Sequence, residues 1–273
     1  MNTLRARRWL LSVVTLAAVL ALTAAWWLGG IALRPVAKYS GELLVLLLLL
    51  LALFNVRKKL PFLPLGSATA WLQFHIYAGW LSVALFLLHA GPQWPRSALG
   101  FALWLVFLSV AASGAFGLWL SRWLPPRLTR SGESLVYERI PRLRHQLEDE
   151  AGNLVRQAET EAASSTLADF HRQVLAPYFA RTPTLFSPLA EDDAAHHRAG
   201  HELASLRRYL SEREMLIADQ LAELLEAKRN LDAQYAGQRL LKLWLFVHLP
   251  LTYGLLVLVA AHVWLVLHYS HRF

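Results

Sequence analysis

Four histidines lie in two long apolar segments of the chain, and they form two pairs with the same spacing. His75 and His89 are 14 residues apart, and so are His248 and His262. An α-helix advances about 100° and about 1.5 Å per residue, so 14 residues return a side chain to within about 40° of the same face, roughly 21 Å further along. The spacing predicts two helices, each with two imidazoles on one stripe. Side by side, such helices could hold two haems, each iron bound from both sides.

A lone histidine in an apolar helix can be an ordinary hydrogen-bonded packing residue. Polar groups are expensive inside a membrane, however, and packing alone does not explain four of them at one repeated spacing. We therefore interpret His75, His89, His248 and His262 as axial ligands of haem iron.

Small residues accompany the histidines, and a porphyrin needs neighbouring backbone that carries no bulky side chain. Gly79 and Ser82 follow His75 by four and seven residues, and Gly254 lies between the two histidines of the last apolar segment. We therefore include Gly79 and Gly254 in the predicted cofactor site. A run of small residues at 111–115 has an equally good explanation in helix–helix packing.

The composition indicates an integral membrane protein. The chain has 273 residues, of which 56% are hydrophobic, and the apolar residues are concentrated in runs of membrane-spanning length. These runs predict an all-α membrane protein with about five transmembrane helices in a bundle, at residues 9–29, 41–56, 70–90, 99–121 and 242–268.

The basic residues predict the orientation of these helices. Clusters at 5–8, 57–59 and 122–130 flank the spans on one side, and these clusters outnumber the basic residues of the opposite loops. The N-terminus is then cytoplasmic and the C-terminus outside, as in a bacterial inner membrane, and we expect the first helix to be retained rather than cleaved as a signal peptide. The net charge of +8 is explained by topology and anionic lipid rather than by nucleic acid.

The chain contains no cysteine. This excludes disulfides, cysteine-ligated iron–sulfur clusters and the C-x-x-C-H site of covalently attached haem. The predicted cofactors are therefore two non-covalent haems of the b type.

A polar stretch separates the fourth and fifth apolar runs and predicts three parts of the chain: 1–121 with four transmembrane helices, 122–239 as a soluble insertion, and 240–273 with the fifth helix. The insertion shows two amphipathic arms, at about 134–175 and 195–238, around a proline-containing turn at 182–188. We predict a cytoplasmic helical hairpin that provides a docking surface for another protein. It contains no glycine-rich nucleotide fingerprint, which argues against a flavin or nicotinamide domain of its own.

The segment from His75 to Ala90, with His248-Leu-Pro-Leu-Thr-Tyr-Gly and the later His262, resembles the transmembrane domain of ferric reductases and NADPH oxidases, a two-haem cytochrome b. In its ligand arrangement it also resembles the cytochrome b of quinol-oxidising complexes. The resemblance covers the third to fifth spans. It implies transmembrane electron transfer, with ligation by the four histidines.

The preferred hypothesis is a di-haem membrane cytochrome, with His75 facing His248 at the inner level and His89 facing His262 at the outer level. It would be a subunit of a larger redox system that exchanges electrons with another protein or a quinone. The alternative is a haem-free membrane scaffold or signalling protein whose insertion binds partners. A transporter or proton path is disfavoured because the sequence shows no internal repeats or broken helices.

Overall fold

The computed structural model describes residues 2–32, 35–59, 67–91, 93–124, 137–162, 165–184 and 194–270. These residues are almost entirely helical, and none of them lies in a β-strand. The helices in chain order are α1 (Asn2–Ile31), α2 (Val36–Lys59), α3 (Ala68–Ala90), α4 (Ala98–Trp123), α5 (Ile140–Ala162), α6 (Thr166–Phe170), α7 (Ala176–Ala180), α8 (Ala194–Leu206) and α9 (Glu212–Ser270).

The chain divides into two compact units. The membrane unit comprises residues 1–118 and 245–273, and the insertion unit comprises residues 119–244. The sequence-based limits of the insertion were 122 and 239.

Five helices are long and apolar enough to cross a membrane: α1, α2, α3, α4 and α9. The predicted all-α membrane fold is confirmed, and the chain is an integral membrane protein whose apolar spans contact lipid. The most apolar stretch of α3 has a mean hydropathy of 1.4, against 2.0 for each of the other four. Gln73, His75 and Ser82 lie within this stretch, and His89 follows it directly. The third span is thus the least apolar, and two of the predicted ligands lie on it.

Local signals define both ends of α3. The Ser67 hydroxyl accepts a hydrogen bond from the backbone N–H of Ala70, which satisfies a donor that the first helical turn leaves unpaired. At the other end Gly91 has φ 68°, and its N–H donates to the Leu87 carbonyl at 3.1 Å. Glycine adopts this left-handed conformation without a steric penalty, so α3 ends directly after His89 and Ala90.

In the membrane unit α3 packs closely against α1 and α2. Tyr77 on α3 donates a hydrogen bond to the Arg8 carbonyl of α1 at 3.0 Å. Among the described residues, α4 and α9 approach the other spans closely only at isolated points. One apolar core still joins the spans, with buried residues at Leu44, Leu48, Leu85, Phe86, Phe107 and Leu255.

The insertion unit has a hydrophobic core of its own. Apolar residues of α5, α6, α7, α8 and the first part of α9 pack together, and many of them are completely buried: Ala151, Leu167, Leu175, Ala199 and Leu221 have no exposed surface. Between α6 and α7 lies a π-helical turn, His171–Leu175, and short 3₁₀ turns precede α5 and follow α8.

The insertion is more segmented than the predicted two-armed hairpin. The second arm, expected to be one helix from 195 to 238, is interrupted at Leu210 and Ser211. The backbone N–H and hydroxyl of Ser211 donate to the Glu214 carboxylate at 2.9 and 2.8 Å, and the Glu214 N–H donates back to the hydroxyl at 3.4 Å. This reciprocal capping box starts a new helix. From there α9 continues without a break to Ser270.

A buried ionic cluster holds the insertion unit together. Lys228 on α9 is only 1% exposed and is paired with Asp232, which also contacts the Arg144 guanidinium of α5 at 3.0 Å. The Lys228 ammonium lies 3.2 Å from the Arg181 carbonyl and 4.7 Å from the ring centre of Tyr178 on α7. One carboxylate thus balances two cations from different helices.

Replacing Asp232 with Asn should strongly destabilise the insertion unit, because Lys228 and Arg144 would keep their charges without a counterion. Breaking a buried pair in this way costs about 3–5 kcal/mol. Amide hydrogen exchange of the full-length protein over 140–162 and 212–236 measures the effect. Arg172→Gln is the control: its pair with Asp169 is exposed, with an N···O distance of 3.8 Å, and should contribute almost nothing. Equal protection in both variants would contradict the prediction.

The same lysine should make the stability of this unit depend on alkaline pH. Burial lowers the pKa of Lys228 from its ordinary value of 10.5, although Asp232 opposes the shift. Between the lowered pKa and 10.5 the unfolded chain binds more protons than the folded protein, so stability rises with pH across that interval. We expect exchange protection to increase as the pH rises towards 10.5 relative to Lys228→Met, which lacks the group. Parallel pH profiles of the two proteins would contradict this assignment.

Candidate functional site

The structure brings His89 of α3 and His262 of α9 together. Their ring centroids are 6.4 Å apart, and the ring planes cross at 81°. Both side chains are half-buried. The two rings come from residues 173 positions apart in the sequence (262 − 89), on the same two helices for which the matched spacing predicted a pair.

This separation fits a metal held between the two rings. An imidazole nitrogen lies about 2 Å from the metal it ligates, so two rings on opposite sides of one ion have centroids roughly 6 Å apart. The observed distance of 6.4 Å is therefore one at which His89 and His262 could share a metal ion.

Residues of α2 hold the His89 ring from behind. Its Nδ1 lies 3.0 Å from the Ala37 carbonyl and 3.3 Å from the Ser40 hydroxyl. A carbonyl can only accept a hydrogen bond, so Nδ1 carries the proton and the lone pair is on Nε2. Metal-ligating histidines usually donate their second N–H to a carbonyl or carboxylate in this way.

Gly41 allows the ring to lie directly on the α2 backbone. A Cβ atom at this position would come within 2.8 Å of Cε1 and 3.2 Å of Nδ1 of His89. Real Cβ atoms essentially never approach that closely, so any larger residue would have to displace the ring.

His248 of α9 is held in a similar way by α4. Its Nδ1 lies 3.1 Å from the Ser113 hydroxyl. A Cβ atom at the next residue, Gly114, would lie 3.8 Å from Cε1 of His248, which is an ordinary van der Waals distance.

His75 lies beside Phe54 of α2, with ring centroids 5.0 Å apart and planes inclined by 34°. The structure thus places His75 against α2 and His248 against α4, while it brings His89 and His262 directly together. That His75 and His248 form a pair remains a prediction.

Open space adjoins both predicted glycines. A Cβ atom at Gly79 or at Gly254 would have no neighbour within 4 Å. The axes of helices in direct contact lie 8–10 Å apart along their interface. In the described chain α9 comes close to the other spans only at isolated points, so it does not pack along them in this way. Gly79 is half-buried on the histidine stripe of α3, and Gly254 is exposed, so Gly79 is the better placed of the two for a flat group between the helices.

Two other histidines, His196 and His268, have protein partners that account for their positions. His196 is buried beside Tyr178 and Glu226 in the insertion unit, and His268 stacks on Trp264 with ring centroids 5.4 Å apart. Within the described chain, no three or more His, Cys, Asp or Glu side chains are grouped so that they could hold a metal ion. This result concerns groups of three or more ligands and does not exclude a metal held by two histidines.

The α2 contacts of His89 were missed by sequence reasoning. In the sequence analysis Gly41 was only the first residue of the second apolar run, residues 111–115 were a run of small residues, and Ala37 and Ser40 had no assigned role. The dipeptide Ser-Gly occurs in both of the helices that hold a histidine, but the sequence does not show which side chain it contacts.

Comparison with known proteins adds no identification. No protein-family model, curated protein or solved structure matches the chain.

Proposed function

We propose that this protein is a di-haem b-type membrane cytochrome that carries electrons across the bilayer. The observation that carries the proposal is the pair of imidazoles from His89 and His262, 6.4 Å apart. The Ala37 carbonyl supports it, because it leaves Nε2 of His89 available as a ligand.

Two imidazoles per iron would leave no axial position open. Haem proteins that bind or activate oxygen need an accessible position, whereas ligation from both sides suits electron transfer. Haem iron, when bound, supplies one-electron oxidation and reduction. The contribution of this chain is to hold the ligands rigidly in an apolar environment.

The second pair, His75 and His248, would hold the other haem. Each lies 14 residues before its counterpart on the same helix, which corresponds to about 21 Å along the axis. The hydrocarbon core of a bilayer is about 30 Å thick, so two haems at these levels would cover most of the distance.

The electrons would come from outside this chain, because its sequence carries no nucleotide fingerprint. The donor or acceptor would be another protein or a membrane quinone. The insertion unit, which buries a core of its own, is the proposed docking platform on the cytoplasmic face. We place the protein in a bacterial inner membrane with the N-terminus on the same side as the insertion.

A reduced-minus-oxidised absorption spectrum with a pyridine haem assay tests the cofactors. We expect two haems per chain in the purified protein. His89→Ala, His262→Ala and the double variant should each lose the same single haem, because the two rings share one iron. His75→Ala and His248→Ala should lose the other. His268→Ala, on the same helix as His262, is the control and should retain both haems.

A colourless wild-type protein would overturn the cytochrome proposal and favour the haem-free scaffold. Loss of both haems in His268→Ala would mean that the variants report general damage to α9 rather than ligation.

The orientation can be tested by chemical labelling, because the chain has no native cysteine. Tyr209 in the insertion unit and Trp94 after α3 are both 72% exposed. An impermeant maleimide should label Tyr209→Cys only in inside-out vesicles and Trp94→Cys only in right-side-out vesicles. The reverse pattern would place the insertion outside, and labelling of both variants from one side would contradict the five-span topology.

A further inference from the structure

Two Ser-Gly dipeptides contact two of the four histidines with the same chemistry. In α2, Ser40 lies 3.3 Å from Nδ1 of His89 and Gly41 lies beneath its ring. In α4, the Ser113 hydroxyl lies 3.1 Å from Nδ1 of His248, and Gly114 faces the same edge of that ring.

The two dipeptides are arranged as a repeat. Each lies on the span that precedes the histidine helix in chain order, α2 before α3 and α4 before α9. In each case the serine meets Nδ1 and the glycine is nearest to Cε1, the carbon between the two nitrogens. Ordinary packing through small residues would bring backbones together but would not place a hydroxyl at the same ring nitrogen twice.

We propose that these two Ser-Gly dipeptides are positioning sites, one for each haem. The serine hydroxyl accepts a hydrogen bond from Nδ1–H, and in α2 the absence of a side chain at Gly41 lets the ring of His89 lie against the neighbouring helix. This inference rests on the proposed cytochrome function. In each proposed pair, one histidine is then positioned by a Ser-Gly dipeptide. This is His89 in the pair with His262, and His248 in the pair with His75.

The two sites should differ in which residue of the dipeptide matters more for haem binding. A Cβ atom at Gly41 would come within 2.8 Å of His89, whereas at Gly114 it would lie 3.8 Å from His248. His89 also has the Ala37 carbonyl at 3.0 Å as a second partner for Nδ1. The His89 site should therefore be sensitive to its glycine, and the His248 site to its serine.

Single-haem backgrounds allow each site to be measured separately. His75→Ala retains only the haem of His89 and His262, and Gly41→Ala in this background should weaken haem binding by about 10–100-fold, the usual effect of disturbing a group that orients a ligand. Ser40→Ala should weaken it only a few-fold. Gly30→Ala on α1 is the control, because a Cβ there has no neighbour within 4 Å and Gly30 belongs to neither proposed haem site.

In the His89→Ala background, which retains the haem of His75 and His248, the order should reverse. Ser113→Ala should weaken haem binding by about 10–100-fold, and Gly114→Ala should have little effect. Ser113→Thr keeps the hydroxyl and should restore most of the binding lost in Ser113→Ala. Haem dissociation rates, midpoint potentials and the electron paramagnetic resonance of the oxidised haem give three independent readouts.

Nitrogen NMR of the haem-free protein, labelled at histidine, tests the proton position directly. We expect His89 and His248 as Nδ1–H tautomers, and a mixture of tautomers for His248 in Ser113→Ala. If the wild type binds two haems but Gly41→Ala and Ser113→Ala match Gly30→Ala, the positioning role is wrong and the cytochrome proposal stands. If the wild type binds no haem, the function itself fails, whatever the tautomers are.

Discussion

An imidazole inside a membrane span has two ring nitrogens and no water to satisfy them, and the arrangement of the membrane unit follows from that constraint. Unsatisfied polar groups cost several kcal/mol in hydrocarbon, so each ring needs partners from protein or ligand. For His89 the Ala37 carbonyl and Ser40 hydroxyl serve Nδ1, and the ring centroid of His262 lies 6.4 Å from that of His89. In the proposed function, a metal shared by the two rings would satisfy the second nitrogen.

The helices are arranged around this requirement. The span α3 lies against α1 and α2, is the least apolar of the five, and ends at Gly91 directly after its second histidine. The insertion unit meets a different constraint, since it buries charge as well as apolar surface. There Asp232 compensates Lys228 of its own helix α9 and Arg144 of α5, so one carboxylate links the two helices.

The sequence was sufficient for the features that depend on periodicity. The five spans and the helical character of the insertion were predicted, because hydrophobic runs and amphipathic periodicity express helix geometry directly. The break before α9 was missed, although Ser211 and Glu214 have the capping-box spacing, because the leucine pattern continues across it. The contacts of Ser40 and Ser113 could not be predicted, since spacing within one helix says nothing about which residues of a neighbouring helix lie opposite.

The two Ser-Gly dipeptides differ greatly in the number of residues that separate the serine from the histidine it contacts. His89 follows Ser40 by 49 residues, whereas His248 follows Ser113 by 135, and the whole insertion unit lies between them. Chains are synthesised from the N-terminus, and domains generally fold as units as they emerge. The first histidine can therefore be seated while the protein is still growing, but both histidines of α9 appear only after the insertion has been made. Completion of either proposed ligand pair would thus be a late event in biosynthesis, because it must wait until the insertion unit has been synthesised.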